Sequence, residues 1–252
     1  MTQANLAIAF PDLPPGARQR LAREAWQHLG MTVVELARLL RRPLEATLRE
    51  LTLEGLEHMH GVMREHGRGL ILTAHLGNWE YLSLVQRLLE YPVAIVVRPL
   101  DSPVLDDQAV AMRSKTGVDL IDKRGALRPT LEALRRGGLV AILLDQNAGR
   151  REGVFVPFFG RPASTSRSLA VLALRTRTPI LPIFIRRAGI GRHHVTIEPP
   201  LLPAASNDPD AAVVELTARC TQAVEAAIRR APAQWLWAHD RWRTRPPTAV
   251  RP

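Results

Sequence analysis

Arg68-Gly-Leu-Ile-Leu-Thr-Ala-His75-Leu-Gly-Asn-Trp-Glu80 is the stretch on which the reading of this chain turns. Leu70 to Ala74 is an apolar run of strand length, and Gly77-Asn78 breaks it before a helical pattern begins. His75 therefore stands where a buried strand ends, the edge at which an open α/β sheet places its ligands. Asn78 is an N-cap residue type, and Glu80 falls in the first turn, where orphan backbone amides favour a carboxylate. The spacing predicts an imidazole base with Glu80 as its orienting partner.

Working outward, the same alternation recurs. Val93–Val97 reads as a buried strand ending at Arg98-Pro99, and the stretch from Leu105 to Met112 reads as a helix carrying Arg113. Leu120-Ile121 is short and apolar, with Lys123-Arg124 behind it; a helix stopped by Gly137-Gly138 leads into the strand Leu139–Leu144, which ends on Asp145-Gln146. This predicts an α/β fold, a mixed but largely parallel central sheet flanked by helices. Parallel strands end on one edge, so His75, Arg98 and Asp145 are expected to converge on one crevice.

The flanks complete the layout. Beyond a Pro-rich stretch at Phe10–Gly16, residues 17–40 space Leu21, Ala25, Leu29, Val33, Leu36 and Leu40 as an amphipathic helix with Arg on its other face. A second helix runs near Glu54–His66, and Tyr81–Glu90 completes the helix after the opening motif. Ser164-Thr165-Ser166 cap a helix through Arg175; Pro179–Ile185 is a strand whose prolines predict an edge or a bulge; His193–Glu198 alternates with period two; and Asp208-Pro209 starts a last long helix. The chain is expected to be one domain, with residues 1–66 an N-terminal helical segment, 67–200 the α/β catalytic core and 201–252 a C-terminal helix and tail. That tail, Trp235–Pro246, mixes Trp and Arg in a way that suits either a lipid interface or packing on the domain.

Composition narrows the class. The 252 residues are 46% hydrophobic and 23% charged, a globular balance. Lys and Arg number 34 against 24 Asp and Glu, a net charge of +10 carried mostly by Arg, which suits phosphate, anionic lipid or an acidic carrier protein. Aromatics at 5%, with no finger spacing or stacking platform, set nucleic acid last among the partners. His58-Met-His60 and His193-His194 lack a third ligand at a sensible spacing, so no metal is expected. One cysteine, Cys220, excludes an internal disulfide, and no run approaches the ~18–20 apolar residues that span a bilayer. No Gly-x-Ser-x-Gly elbow is present, which argues against a serine hydrolase of the α/β-hydrolase type.

The hexapeptide His75-Leu-Gly-Asn-Trp-Glu80 resembles the His-x4-Glu signature of the lipid A late acyltransferases, the lauroyl and myristoyl acyltransferases within the glycerolipid acyltransferase superfamily. The likeness continues through Asn5–Leu13, Arg98–Pro103, Asp145-Gln146, Val154–Pro162 and the Trp235–Pro246 tail. It implies a glycerolipid-acyltransferase-like fold and transfer of a fatty acyl group from an acyl thioester, on acyl carrier protein or coenzyme A, to a hydroxyl of a lipid A precursor or related glycolipid. No cofactor is implied beyond that donor. His75 and Glu80 would be catalytic, and Arg98, Arg113, Arg124 and Asp145 would bind substrate. Asp145 would orient an acceptor hydroxyl or an Arg, and backbone amides near Gly77-Asn78 would receive the oxyanion.

The resemblance also implies a site at the cytoplasmic face of the bacterial inner membrane. Members usually carry an N-terminal anchor before the Asn5–Leu13 segment, where this chain begins, so attachment is expected to be peripheral. Asp240 stands where a basic residue is usual, so phosphate contacts there are expected to be weaker. Mannoside-glycolipid and lysophosphatidate acyltransferases share the pattern, and a non-catalytic lipid-binding relative is the rival from another class.

Overall fold

β2 (Gly69–Thr73) is buried along its whole length, and this follows from its sequence: Leu70 and Leu72 enter one core while Ile71 enters another on the opposite face. This computed structural model describes residues 1–89, 91–99 and 103–247. The strands are β1 (Leu51–Glu54), β2, β3 (Val93–Val97), β4 (Asp119–Asp122), β5 (Leu139–Leu143), β6 (Gly153–Phe158), β7 (Arg161–Ser166), β8 (Ile180–Gly189) and β9 (Arg192–Ile197). Seven of them form one sheet in the order β1-β9-β8-β2-β5-β3-β4, and β6 and β7 form a separate antiparallel hairpin. β8, β2, β5, β3 and β4 are mutually parallel; β9 runs antiparallel to β8, and β1 lies parallel to β9.

The helices are α1 (Thr2–Ala9), α2 (Pro15–Arg41), α3 (Leu44–Leu48), α4 (Leu56–His66), α5 (Leu82–Val85), α6 (Pro103–Thr116), α7 (Leu127–Arg135), α8 (Ser168–Thr176) and α9 (Pro209–Arg230). α1, α8 and α9 supply buried residues to the core that takes Leu70 and Leu72, and α4 and α5 to the core that takes Ile71. α9 starts where Asp208 predicts: its Oδ1 accepts from the amides of Asp210 at 3.1 Å and Ala211 at 3.0 Å, with Pro209 in the first turn.

The mixed, largely parallel sheet is the one expected, but several local readings are corrected. Leu51–Glu54 is a strand, so the second helix begins at Leu56. After the opening motif the chain makes a 3₁₀ turn at Trp79–Tyr81, the short α5 and a second 3₁₀ turn at Gln86–Leu88 in place of one long helix; Glu90 lies outside the described residues, as do residues 100–102 of the Arg98–Pro103 segment. Ser164 to Ser166 do not cap α8 but form the end of β7, paired across to Gly153–Phe155.

β8 is interior rather than an edge. Its partners explain how it holds Pro182: the β2 ladder covers Ile180–Pro182 and the β9 ladder begins at Ile183, so the proline sits where pairing passes from one neighbour to the other.

Along α2 the expected inward stripe is rotated. Ala22, Ala25, Thr32, Glu35 and Leu39 face inward, while Val33 (61% exposed), Val34 (60%), Trp26 (56%) and Leu40 (41%) face outward. The polar Thr32 and Glu35 displace apolar residues from the buried side because they bond the chain beneath.

These burials set expected costs. Leu72→Ala, at a fully buried position in β2, is expected to lose about 2–5 kcal/mol of stability. Asp208→Ala, which removes only a cap, is expected to lose about 1 kcal/mol. Urea denaturation of both variants checks the contrast.

Candidate active site

The site begins with strand register. β2 and β5 run parallel with Thr73 opposite Leu143, so two residues further on His75 comes opposite Asp145. Neighbouring strands lie about 4.8 Å apart, which a short aspartate side chain spans. Asp145 Oδ1 lies 2.9 Å from His75 Nδ1, and Oδ2 accepts from the His75 backbone amide at 3.0 Å and from Trp235 Nε1 at 2.7 Å. The imidazole's partner is thus Asp145, not the expected Glu80.

Electrostatics fix the proton arrangement. Burial would raise the Asp145 carboxyl, but the His75 imidazole, with hydrogen bonds from its ring, from Trp235 and from the His75 amide, holds it at about 2. An ionised carboxylate only accepts, so His75 Nδ1 carries its proton toward Asp145 and Nε2 is the basic nitrogen. Burial alone would lower the imidazole; Asp145, and more weakly Glu80, outweigh it against the opposing charge of Arg113, leaving the pKa above 6.5. The His75 side chain is 19% exposed, Trp79 packs edge-on against its ring at 5.1 Å, and Gln146 Nε2 lies 3.5 Å from its Nε2.

Glu80 is engaged elsewhere. Arg113, from α6, grips it in a fork, Nε to Oε2 at 2.9 Å and Nη2 to Oε1 at 2.6 Å, while Trp79 Nε1 donates to Oε1 at 3.2 Å. Both side chains of this pair are largely shielded, at 14% and 13% exposure. Glu80 and Arg113 therefore enter the site as a unit beside the His75–Asp145 pair.

Arg98 and Arg124 are exposed and follow β3 and β4, so they stand on the same sheet edge, one and two strands beyond Asp145. Asn78 does not cap a helix: it is fully buried and its Nδ2 donates to Glu35 at 2.9 Å. Nor is the Gly77 amide open to an oxyanion, because it donates to the Gln234 carbonyl at 2.9 Å. Gly77 itself is required where it stands: at φ 60°, a Cβ would lie 2.4 Å from the Ile185 carbonyl oxygen.

The tail resolves toward packing. Trp235 and Trp237 are 2% and 1% exposed, and Arg241 is wholly buried, donating to the Ser164 carbonyl and the Thr165 hydroxyl with its guanidinium over the Phe158 ring. Burial pushes Arg241 down to about 10, still a cation at neutral pH. Trp235 is the site residue that the sequence reading did not single out. Its only signal was the repeated Trp in the tail, since a bond to a carboxylate 90 positions away leaves no local pattern.

The family model for bacterial lipid A biosynthesis acyltransferases matches residues 1–244. The lipid A biosynthesis lauroyltransferase of Escherichia coli K12 is 27% identical over 243 residues, covering 96% of this chain and 78% of that protein. The palmitoleoyltransferase of the same organism is 25% identical over 248 residues, covering 98% and 79%. The crystal structure of the 1-acyl-sn-glycerophosphate acyltransferase PlsC from Thermotoga maritima superposes with a TM-score of 0.45 at 13% identity, covering 92% of each chain.

The arrangement has a pH signature. The neutral, basic form of His75 is expected to appear only as pH rises through a value above 6.5, because the folded protein stabilises the protonated ring. Asp145→Asn removes that stabilisation and leaves burial, so the titration midpoint is expected to fall, read by histidine NMR. Trp235→Phe, which deletes one hydrogen bond to the buried carboxylate, is expected to cost about 1.5–3 kcal/mol in chemical denaturation.

Proposed function

Because the chain belongs to the bacterial lipid A biosynthesis acyltransferase family, we propose that it moves a fatty acyl group from an acyl thioester, on acyl carrier protein or coenzyme A, to a hydroxyl of a lipid A precursor or related glycolipid. The observation that carries this reading is the His75–Asp145 pair at the carboxyl edge of the parallel strands, with Nε2 left as the base. An alcohol is a poor nucleophile at neutral pH, and general-base assistance is typically worth about 10²–10⁴ in rate.

In this reading His75 Nε2 takes the acceptor hydroxyl proton as the oxygen attacks the thioester carbonyl carbon. The tetrahedral intermediate collapses, the carbon–sulfur bond breaks, and the imidazolium returns the proton to the departing thiolate. Asp145 orients the ring and stabilises imidazolium. Glu80 acts at one remove, raising His75 basicity and fixing Arg113, whose guanidinium in this reading serves a phosphate or carbonyl oxygen of the substrate. Arg98 and Arg124, further along the same edge, suit phosphates of the acceptor or of the carrier arm.

The place of action in this proposal is the cytoplasmic face of the inner membrane. No helix among the described residues is long and apolar enough to cross a bilayer. The outward face of α2 supports a peripheral attachment: Trp26, Val33, Val34 and Leu40 are exposed on it, with Arg20, Arg23 and Arg41 exposed on the same helix.

Incubating the protein with labelled acyl-carrier thioester and lipid A precursor is expected to give acylated product, with kcat in His75→Ala and Asp145→Asn down by about 10²-fold or more. Unchanged turnover in both variants defeats the mechanism. Vesicles containing anionic phospholipid are expected to shift Trp26 fluorescence to the blue and to lose the protein on Val33→Glu, as measured by co-sedimentation.

A further inference from the structure

A second buried charge centre lies beneath the His75–Glu80 turn, and the acyl-transfer chemistry does not use it. Glu35, on the inner face of α2, and Arg187, toward the end of β8, are 6% and 7% exposed and 152 positions apart. They pair in a fork, Arg187 Nε to Glu35 Oε1 at 2.9 Å and Nη2 to Oε2 at 2.6 Å. Two further guanidinium hydrogens meet His28 Nδ1 at 2.6 Å and the Thr32 hydroxyl at 3.2 Å, and the buried His193 ring lies 3.4 Å from Glu35. Burial and the Arg187 charge both lower His28, which therefore accepts as a neutral ring. Burial would raise Glu35, but Arg187 foremost, then His193 and Asn78, hold it at about 2, so it stays charged throughout any assay range.

Several bonds tie this centre to the His75–Glu80 turn and to the segments that flank it. Asn78 Nδ2 donates to Glu35 Oε2 at 2.9 Å, the Thr32 hydroxyl lies 3.4 Å from the Gly77 carbonyl, and the Tyr81 hydroxyl donates to the Glu35 carbonyl at 3.2 Å. From β8 the Arg187 amide donates to Gln234 Oε1 at 2.6 Å, Gln234 Nε2 returns a bond to the Arg187 carbonyl at 3.0 Å, and the Gln234 carbonyl takes the Gly77 amide at 2.9 Å.

A buried ion pair is weak evidence of a stabilising purpose, since apolar residues of like volume often do as well or better. What an apolar pair cannot supply is a fixed acceptor for Asn78; the bonds to Gln234 use only the backbone of position 187. We propose that Glu35 and Arg187 are positioning residues, whose ion pair sets, through Asn78, where the turn holds the His75 ring against Asp145. This rests on the reading of His75 as the base.

The test uses the full chain carrying Glu35→Gln, Arg187→Lys, and the double change Glu35→Leu with Arg187→Met. Three quantities are read: kcat against KM, thermal midpoint, and the His75 titration by NMR. The groups facing His75 are Asp145 beyond β5, Glu80 on its own turn, Arg113 on α6 and His239 in the tail, none of which these variants alter.

Glu35→Gln and Arg187→Lys are expected to lower kcat by about tenfold or more with KM within about twofold, and to displace the His75 midpoint, because sub-ångström misplacement of a base is costly. The double variant is expected to regain the wild-type thermal midpoint while kcat stays depressed. A folded single variant with kcat within about twofold of wild type, an unmoved His75 midpoint, or a double variant that recovers both stability and kcat overturns the proposal. Where Glu35→Gln does not fold, Arg187→Lys and the double variant give the same decision. Failure of the base reading is separate: His75→Ala would then match wild type, while the His75 midpoint still reports whether the pair positions the ring.

Discussion

A buried negative charge with three donors around it is the constraint on which this site depends. The Asp145 side chain is 1% exposed, and stranding an ionised carboxylate there without partners would cost several kcal/mol. Its three donors come from two distant parts of the chain: the His75 amide and ring just past β2, and the Trp235 indole in the tail. Satisfying one anion therefore ties the central strand, its neighbour and the C-terminal segment together. The same requirement gives the imidazole its tautomer, so the bond that holds the fold's edge in place also sets the chemistry of the ring.

The turn that carries His75 is gripped from several sides. The tail runs across it, with Leu76 bridged to Trp235 and the Leu236 amide on the His75 carbonyl, while β8 presses close enough that only glycine fits at position 77. Below lies the Glu35–Arg187 centre, and beside it the Glu80–Arg113 fork. Short, directional, charge-assisted contacts of this kind leave the His75 ring little freedom to move.

The parts of this arrangement that were legible from sequence are those written in local pattern. Uninterrupted apolar runs mark β2 and β5, and the residue just past each run is His75 or Asp145, so their sharing of an edge follows from strand direction alone. The four-residue β1 was too short to separate from the helix after it. Ser164–Ser166 read as a cap because hydroxyl residues before an apolar run have that look, whereas cross-strand pairing with β6 took precedence. Glu35 and Arg187 carried a signal that composition hides: helical spacing from Ala25 through Thr32 to Leu39 places Glu35 inward, and period two from Leu181 through Ile183 and Ile185 places Arg187 inward. A charge on each of two buried faces, one of either sign, is a reason to expect that they meet.

The exchange of partners between the two site carboxylates has a geometric cause. Glu80 is nearer to His75 in sequence, but a turn intervenes, and its side chain leaves the 3₁₀ segment toward α6, where a planar guanidinium offers two parallel bonds. Asp145 is 70 positions away, yet in-register parallel pairing brings its backbone to one strand spacing from that of His75. Sequence proximity measures the length of the intervening chain, whereas strand register measures distance across it. Glu80 still acts on the imidazole through space, adding to its basicity while Arg113 partly cancels that field. A change at either member of that fork therefore reaches the ring without breaking any bond to it, which makes the Glu80–Arg113 unit a means of tuning the imidazole whose orientation Asp145 sets.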